Sequence, residues 1–241
     1  MSAAGAASPE IIERPSPNHD ARPDATTVDI LLLHYTGMPT GPDALARLCD
    51  PVAKVSAHYC IEENGRIFRL VDENRRAWHA GVACWAGASN INARSIGIEL
   101  VNPGHEFGYR AFPEPQMAAL IPLCQAILAR HPIPPHRVLG HADVAPTRKE
   151  DPGELFDWQR LAAEGIGVWP DAASKPPEPA EARAALARFG YCVPQGGSTD
   201  DGSRAVVRAF QRHFRPAAVT GEIDRETAML AHGLASEREA Y

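Results

Sequence analysis

Val28-Asp-Ile-Leu-Leu-Leu-His34-Tyr35 is the most apolar run in the N-terminal half of the chain, and it closes on a histidine and a tyrosine. A short, continuous apolar run reads as a buried strand. A buried strand that ends on His34 would hold an imidazole rigidly at the rim of a sheet. From spacing alone, a simple hydrogen-bonded histidine at a strand end remains the alternative.

Working outward, Gly41-Pro-Asp43 opens a short helix, with Pro42 and Asp43 near its start. Residues 55–61 read as a strand, Asn64-Gly65 is a strong two-residue hairpin signal, and residues 66–71 return as the second strand. Ser95-Ile-Gly-Ile-Glu99-Leu-Val-Asn102 has a central-strand pattern interrupted by one carboxylate. Residues 115–131 carry Met117, Leu120, Ile121, Leu123, Cys124, Ile127 and Leu128 at helical spacing, with Pro122 removing one backbone hydrogen bond. Residues 137–140 give a further short strand and residues 157–164 a closing helix. The expected fold class is therefore α/β, a mixed central β-sheet flanked by helices, followed by a small three-helix C-terminal domain.

The domain plan follows from composition. Residues 1–26, rich in Pro, Ala and Asp, read as an extended N-terminal arm, residues 27–168 as the main domain, and the proline-rich residues 169–179 as a linker. Residues 180–241 hold three helical patterns, at 181–189, 201–214 and 224–234, with Asp201 and Asp224 where N-caps are wanted. Leu186, Phe189, Val206, Phe210, Phe214, Met229 and Leu230 would make one small core. Nothing in this segment looks catalytic, so it reads as a removable adaptor or binding module.

Twenty-four basic and thirty acidic side chains among 241 residues give a formal charge of −6. This argues against a nucleic-acid partner and against a basic membrane-surface protein. No apolar run approaches the ~18 residues needed for a membrane span, and the N-terminus lacks a basic and apolar leader pattern. The five cysteines, Cys49, Cys60, Cys84, Cys124 and Cys192, are widely spaced and odd in number. They read as mostly reduced thiols, which fits a cytoplasmic protein, the alternative being a periplasmic one whose leader is missing or whose export is unconventional. The sequence leaves the oligomeric state open.

The chemistry concentrates in Leu139-Gly-His-Ala-Asp-Val-Ala-Pro-Thr-Arg-Lys-Glu-Asp-Pro152. Val144, Ala145 and Pro146 favour a loop over a continuing helix. If that loop folds back, His141 and Asp151 reach one metal ion, and His34 is the best distant third ligand. Two histidines, one carboxylate and an open position form a common catalytic zinc shell, although an ordinary polar loop fits the spacing too. Glu99 sits among residues that want burial, where a carboxylate is costly unless paired or near a cation. It is either a strand-edge glutamate facing solvent or a general base in a desolvated setting. Lys149, two positions before Asp151, is a solvated lysine or an oxyanion partner in the same site. Residues 77–94 are rich in Trp, Gly, Ala and Asn without periodicity, and long irregular stretches inside compact domains are more often functional than idle. His79, in this stretch, could donate a hydrogen bond to a substrate. His58, in an alternating strand, competes as a packed or supporting histidine.

Several blocks occur together in order: Leu33-His34-Tyr35-Thr36, Val55-Ser-Ala-His58-Tyr59, Ala77-Trp78-His79-Ala80-Gly81, Asn92-x-x-Ser95-Ile-Gly-Ile-Glu99, Gly140-His141-x-Asp143 and Arg148-Lys149-x-Asp151-Pro152-Gly153. As a set, spanning about residues 25–165, they resemble the type-2 N-acetylmuramoyl-L-alanine amidases, zinc enzymes related to peptidoglycan-recognition proteins. The resemblance implies Zn2+ held by His34, His141 and Asp151, with Glu99 as base and Lys149 beside the developing oxyanion. Zinc would lower the pKa of a bound water from 15.7 toward ~7 and polarise the amide carbonyl. It further implies hydrolysis of the amide between N-acetylmuramic acid, or its anhydro form, and L-alanine of the stem peptide. The partners would be peptidoglycan or soluble (anhydro)muropeptides, with His58, His79, Asn90 and Arg94 as substrate-binding candidates. Arg75, Arg76 and Arg94 are the basic residues nearest the irregular stretch and could meet stem-peptide carboxylates. Phe189-Gly-Tyr191, Ala209-Phe210-Gln211-x-x-Phe214 and Gly221-x-Ile-Asp224-x-x-Thr227 resemble a three-helix peptidoglycan-binding module.

Overall fold

A computed structural model describes residues 10–170, 178–194 and 200–238. In chain order, β1 (Ile11–Glu13), β2 (His19–Ala21) and β3 (Ile30–Tyr35) precede α1 (Gly41–Cys49). Strands β4 (Tyr59–Ile61), β5 (Ile67–Arg69) and β6 (Arg75–Ala77) follow, then α2 (Ile91–Arg94), which runs straight into β7 (Ser95–Leu100). After α3 (Gly104–Phe107), α4 (Glu114–Arg130) and β8 (Val138–Gly140) come the one-turn α5 (His141–Val144) and α6 (Trp158–Ala163). The chain ends in α7 (Pro179–Phe189), α8 (Asp201–Phe214) and α9 (Arg225–Arg238).

The main sheet has the order β1-β5-β4-β7-β3-β8, and β2 pairs with β6 in a separate ribbon. Strands β4, β7, β3 and β8 run parallel, so their carboxyl ends share one edge. The hairpin expected at Asn64-Gly65 is present: β4 and β5 pair antiparallel, and Gly65 takes the left-handed φ of 87° that such a turn demands. The strand expected over 55–61 is shorter, because only Tyr59–Ile61 enters the ladder.

The apolar run in β3 is explained by cover on both sides. Leu31 and Leu33 pack with Leu120, Cys124 and Ile127 of α4, whereas Ile30 and Leu32 pack with Phe189, Phe210 and Phe214 of the C-terminal helices. A parallel strand buried on both faces loses the polar alternation of a half-exposed one. The three C-terminal helices are thus the second layer of the sheet and do not close a separate core. Trp85 of the irregular stretch joins them, with its ring 4.9 Å from that of Tyr191.

Three further expectations change. The N-terminal segment is no loose arm from residue 10 onward: β1 and β2 pair into sheets, and Asn18 Nδ2 donates to the Asp50 and Val55 carbonyls. Residues 1–9 and the linker residues 171–177 lie outside the described residues. The cysteines are not all free thiols, because Cys84 and Cys192 form a disulfide across 108 positions, with Cys49, Cys60 and Cys124 left reduced. Asp200, one residue before the expected Asp201, caps α8 by accepting from Ser203 N. Among the described residues no helix is long and apolar enough to cross a membrane.

Candidate active site

Strand register assembles the site. His34 lies opposite Glu99 across β3 and β7, and Leu33 lies opposite Gly140 across β3 and β8. His141, the residue after Gly140, therefore emerges beside His34 at the carboxyl edge of the parallel strands, where α/β sheets commonly bind their ligands. Val144 still belongs to the one-turn α5, but the loop after it folds back, and Ala142 N donates to Asp151 O at 2.9 Å.

Three donor atoms converge there. His34 Nδ1 is 3.0 Å from both His141 Nδ1 and Asp151 Oδ2, and His141 Nδ1 is 3.1 Å from Asp151 Oδ2. Zinc bonds of about 2.0–2.1 Å in a tetrahedral shell put neighbouring donors roughly 3.3 Å apart, so the triad has the size of such a shell. The three side chains are buried, at 1%, 3% and 4% exposure, which makes their mutual approach costly without a cation among them.

Proton directions agree with a metal. Ser95 Oγ donates to the Ile91 carbonyl at 2.7 Å, so it can only accept from His79 Nε2 at 3.3 Å. That leaves His79 Nδ1 to accept from His34 Nε2 at 3.0 Å, and His34 Nδ1 keeps its lone pair for the triad. His141 Nε2 donates to the Ala80 carbonyl at 3.0 Å, which likewise frees His141 Nδ1. Such outer hydrogen bonds commonly fix the tautomer of metal-binding histidines. Gly97 makes room for the relay, since a Cβ there would lie 2.6 Å from the His79 ring.

Electrostatics separates two carboxylates. Burial pushes the Glu99 carboxyl well above its ordinary value, and the neighbouring Asp151 adds to this while Lys149 opposes it. Burial would raise Asp151 too, but the adjoining His141 and His34 imidazoles outweigh it and hold that carboxyl below the usual range. Burial, then repulsion from His141, lowers His34 to about 4, so its ring is neutral and available as a ligand. Glu99 is partly open to the pocket, yet its Oε2 is enclosed and has no hydrogen-bond partner among the described residues. The two carboxyls are thereby pushed in opposite directions, Asp151 toward its anionic form and Glu99 toward its protonated form.

The pocket over this cluster is lined by Thr36, Met38, Arg47, Trp78 and Lys149 as well as the triad, His79 and Glu99. The family of N-acetylmuramoyl-L-alanine amidases matches residues 24–154, more than half of the chain, and so includes every residue of this cluster. The chain belongs to the N-acetylmuramoyl-L-alanine amidase family. A peptidoglycan-binding domain family matches residues 175–230 of the same amidase. It is 41% identical to the N-acetylmuramoyl-L-alanine amidase AmiD of Escherichia coli, over 93% of this chain and 90% of that protein. The structure of that AmiD with anhydro-N-acetylmuramic acid-L-Ala-D-gamma-Glu-L-Lys superposes with a TM-score of 0.79, covering 89% of this chain and 92% of the other. AmpDh3 of Pseudomonas aeruginosa, in complex with an anhydromuramic pentapeptide, gives 0.80 at 34% identity and covers 93% and 96%. The 1,6-anhydro-N-acetylmuramyl-L-alanine amidase AmpD of Haemophilus influenzae is 36% identical over 60% of this chain and 86% of its own length.

The amidase does not place all sequence candidates at the pocket. His58 is fully buried, with Nδ1 accepting from Gly97 N at 2.9 Å and Nε2 facing Arg22 and the Arg75 carbonyl, so it cannot meet a substrate. Burial and the Arg22 charge depress its basicity to about 3. Asn90 and Arg94 border a separate depression with Asp29 and Thr26, and Arg94 is ion-paired to Asp29. Arg76 pairs with Asp20 at 2.5 Å, Arg75 Nε donates to His19 at 3.3 Å, and neither lines the pocket. His79 does line the pocket, but both its ring nitrogens are engaged, and it orients His34 where a substrate contact was expected. Met38 and Arg47 went unnoticed in the sequence, where a helical arginine and a loop methionine carry no distinguishing pattern. Ser95 and Gly97 stood in the quoted Ser-Ile-Gly-Ile-Glu block, but only the fold reveals what they support.

Proposed function

We propose that this amidase is a zinc enzyme that cleaves the amide between the lactyl carbonyl of N-acetylmuramic acid, or its anhydro form, and L-alanine of the stem peptide. The carrying observation is the convergence of His34 Nδ1, His141 Nδ1 and Asp151 Oδ2 beside Glu99, whose Oε2 has no hydrogen-bond partner among the described residues and whose carboxyl is raised in pKa by burial. His34, His141 and Asp151 would hold the metal. Bound zinc supplies Lewis-acid polarisation of the carbonyl and an acidified water.

The chain's own groups do the proton work. Glu99, with its raised pKa, takes a proton from the attacking water and returns it to the departing alanine nitrogen. Lys149 lines the same pocket, where an ammonium offsets the negative charge that develops on the carbonyl oxygen. Arg47, at the pocket wall, is the cation best placed for a stem-peptide carboxylate. The anhydromuropeptide complexes of the AmiD and AmpDh3 structures support soluble anhydromuropeptides as substrates and a role in wall turnover or recycling. The match at residues 175–230 supports polymeric peptidoglycan as a further partner.

The Cys84–Cys192 bridge favours an oxidising compartment over the reducing cytoplasm, since structural disulfides persist where thiols are not continually reduced. The deciding experiment combines metal analysis with release of free peptide from a soluble anhydromuropeptide and from intact sacculi. One equivalent of zinc and chelator-sensitive release are expected. Full activity in metal-free protein would refute the reading.

A further inference from the structure

We propose that Tyr191 and His213, both from the C-terminal segment, are positioning residues for the metal ligand His141, which they steer by clamping Asp143. The proposal rests on the metal-site reading above and adds a role that the match to a wall-binding family does not contain.

Asp143 lies in α5, the single helical turn that His141 opens. Its carboxylate accepts three hydrogen bonds in a buried setting. Gly140 N donates to Oδ2 at 2.7 Å, His213 Nδ1 donates to Oδ2 at 2.7 Å, and the Tyr191 hydroxyl donates to Oδ1 at 2.6 Å. The first bond closes the turn on itself. The other two come from residues 48 and 70 positions away, neither of which lines the pocket over the triad. A four-residue helix has too few internal hydrogen bonds to hold its own orientation, so the direction of the His141 ring depends on its bond to the Ala80 carbonyl and on what grips the turn from outside.

The grip is itself rigid. The His213 ring stacks on Trp158 with centroids 3.7 Å apart and planes inclined by 19°. Tyr191 sits next to Cys192, whose disulfide anchors it to Cys84. Burial and the Asp143 charge hold the Tyr191 phenol well above its ordinary pKa, so it remains a donor. The neighbouring Arg212 pairs with Glu150, the residue before Asp151, so the same helix touches the segment of a second ligand. Groups that hydrogen-bond a metal ligand directly typically change metal affinity by about 10–100-fold when lost, and this clamp acts on His141 one step further out, at the lower end of that range.

The test measures zinc affinity by chelator competition in full-length protein, alongside thermal unfolding of the metal-free forms. Tyr191→Phe removes one hydroxyl, and His213→Phe keeps the stacked ring but removes the donor. Each is expected to weaken zinc binding about 10-fold, and His213→Asn, which retains a donor near the Nδ1 position, to recover most of it. Asp143→Asn breaks the clamp from the other side and is expected to weaken zinc by a similar factor. Wild-type zinc affinity in Tyr191→Phe, His213→Phe and Asp143→Asn, with only the unfolding temperature lowered, would make the cluster merely structural and overturn the proposal. Absence of zinc binding by the wild type would instead defeat the metal-site reading itself.

Discussion

His34 and Glu99 are register partners on adjacent parallel strands, so the first proposed metal ligand and the proposed base lie side by side at one edge of the sheet. Their backbones are tied together by the β3–β7 ladder. The spacing between the proposed ligand and the proposed base is therefore set by main-chain pairing and not by loop conformation.

Replacing Glu99 by Gln should leave zinc bound and reduce turnover by about 10²–10⁴-fold, the usual worth of a positioned acid–base group. Turnover in the wild type should fall as pH drops through a value above the ordinary carboxylate range, because Glu99 must be ionised to accept a proton. The sign for stability is opposite. A carboxyl whose folded pKa is raised costs stability as pH rises from its unfolded value, about 4.3, through the folded one. Metal-free Glu99→Gln should consequently melt higher than metal-free wild type at neutral pH and equally at pH below ~4. Equal melting at both pH values would contradict the raised pKa.

Asp151→Ala should remove the one permanent anion of the triad and cut zinc occupancy sharply, read by metal analysis after dialysis. Full occupancy would mean that another group supplies the third donor.

Gly97→Ala should act at a distance from the metal. The new methyl would meet the His79 ring at 2.6 Å, displacing the imidazole that accepts from His34 Nε2. We expect weaker zinc binding and lower activity with the sheet intact. An unaltered zinc affinity would show that the relay through His79 and Ser95 does not orient His34.

Removing residues 170–241 should abolish hydrolysis even of small soluble muropeptides, because it uncovers Ile30, Leu32, Trp85 and Leu139. The sequence reading as a detachable module predicted retained activity, so the two outcomes are cleanly opposed. A milder version is Phe210→Ala, which should cost about 3–5 kcal/mol as a fully buried aromatic truncation. Independent unfolding of the two parts in calorimetry would restore the modular view.

Reducing the Cys84–Cys192 bridge should lower stability by about 2–5 kcal/mol, since it closes a long loop between the irregular stretch and the segment after α7. The check is thermal unfolding with and without reductant, compared with a Cys84→Ser, Cys192→Ser double variant. Coincident curves for all three would mean that the bridge contributes nothing.

Local chemistry was readable in the chain because it is encoded in neighbouring residues. Asn64-Gly65 announces its hairpin through the left-handed φ that glycine tolerates, the spacing from Met117 to Leu128 announces α4, and Glu99 stands out as a carboxylate among apolar neighbours. His34, His141 and Asp151 were nameable as a ligand set because strand ends and proline-broken loops present side chains predictably, and because the ordered blocks resemble a family. The supporting roles were not readable. Spacing cannot distinguish His58, sealed in the framework, from His79, which leans on His34, nor show that Arg76 and Arg94 are already paired with Asp20 and Asp29.

By itself the amino-acid order determined the strand and helix periodicities, the metal-type donor set and the single misplaced carboxylate, all of which are properties of one residue and its near neighbours. The tertiary structure alone decided that the C-terminal helices are the second cover of the sheet, that Cys84 meets Cys192, and that Asp143 is held by Tyr191 and His213. Those contacts join positions tens of residues apart. Nothing in a local pattern specifies which distant apolar face or buried donor will satisfy it, and only the closed packing of the whole chain makes the choice.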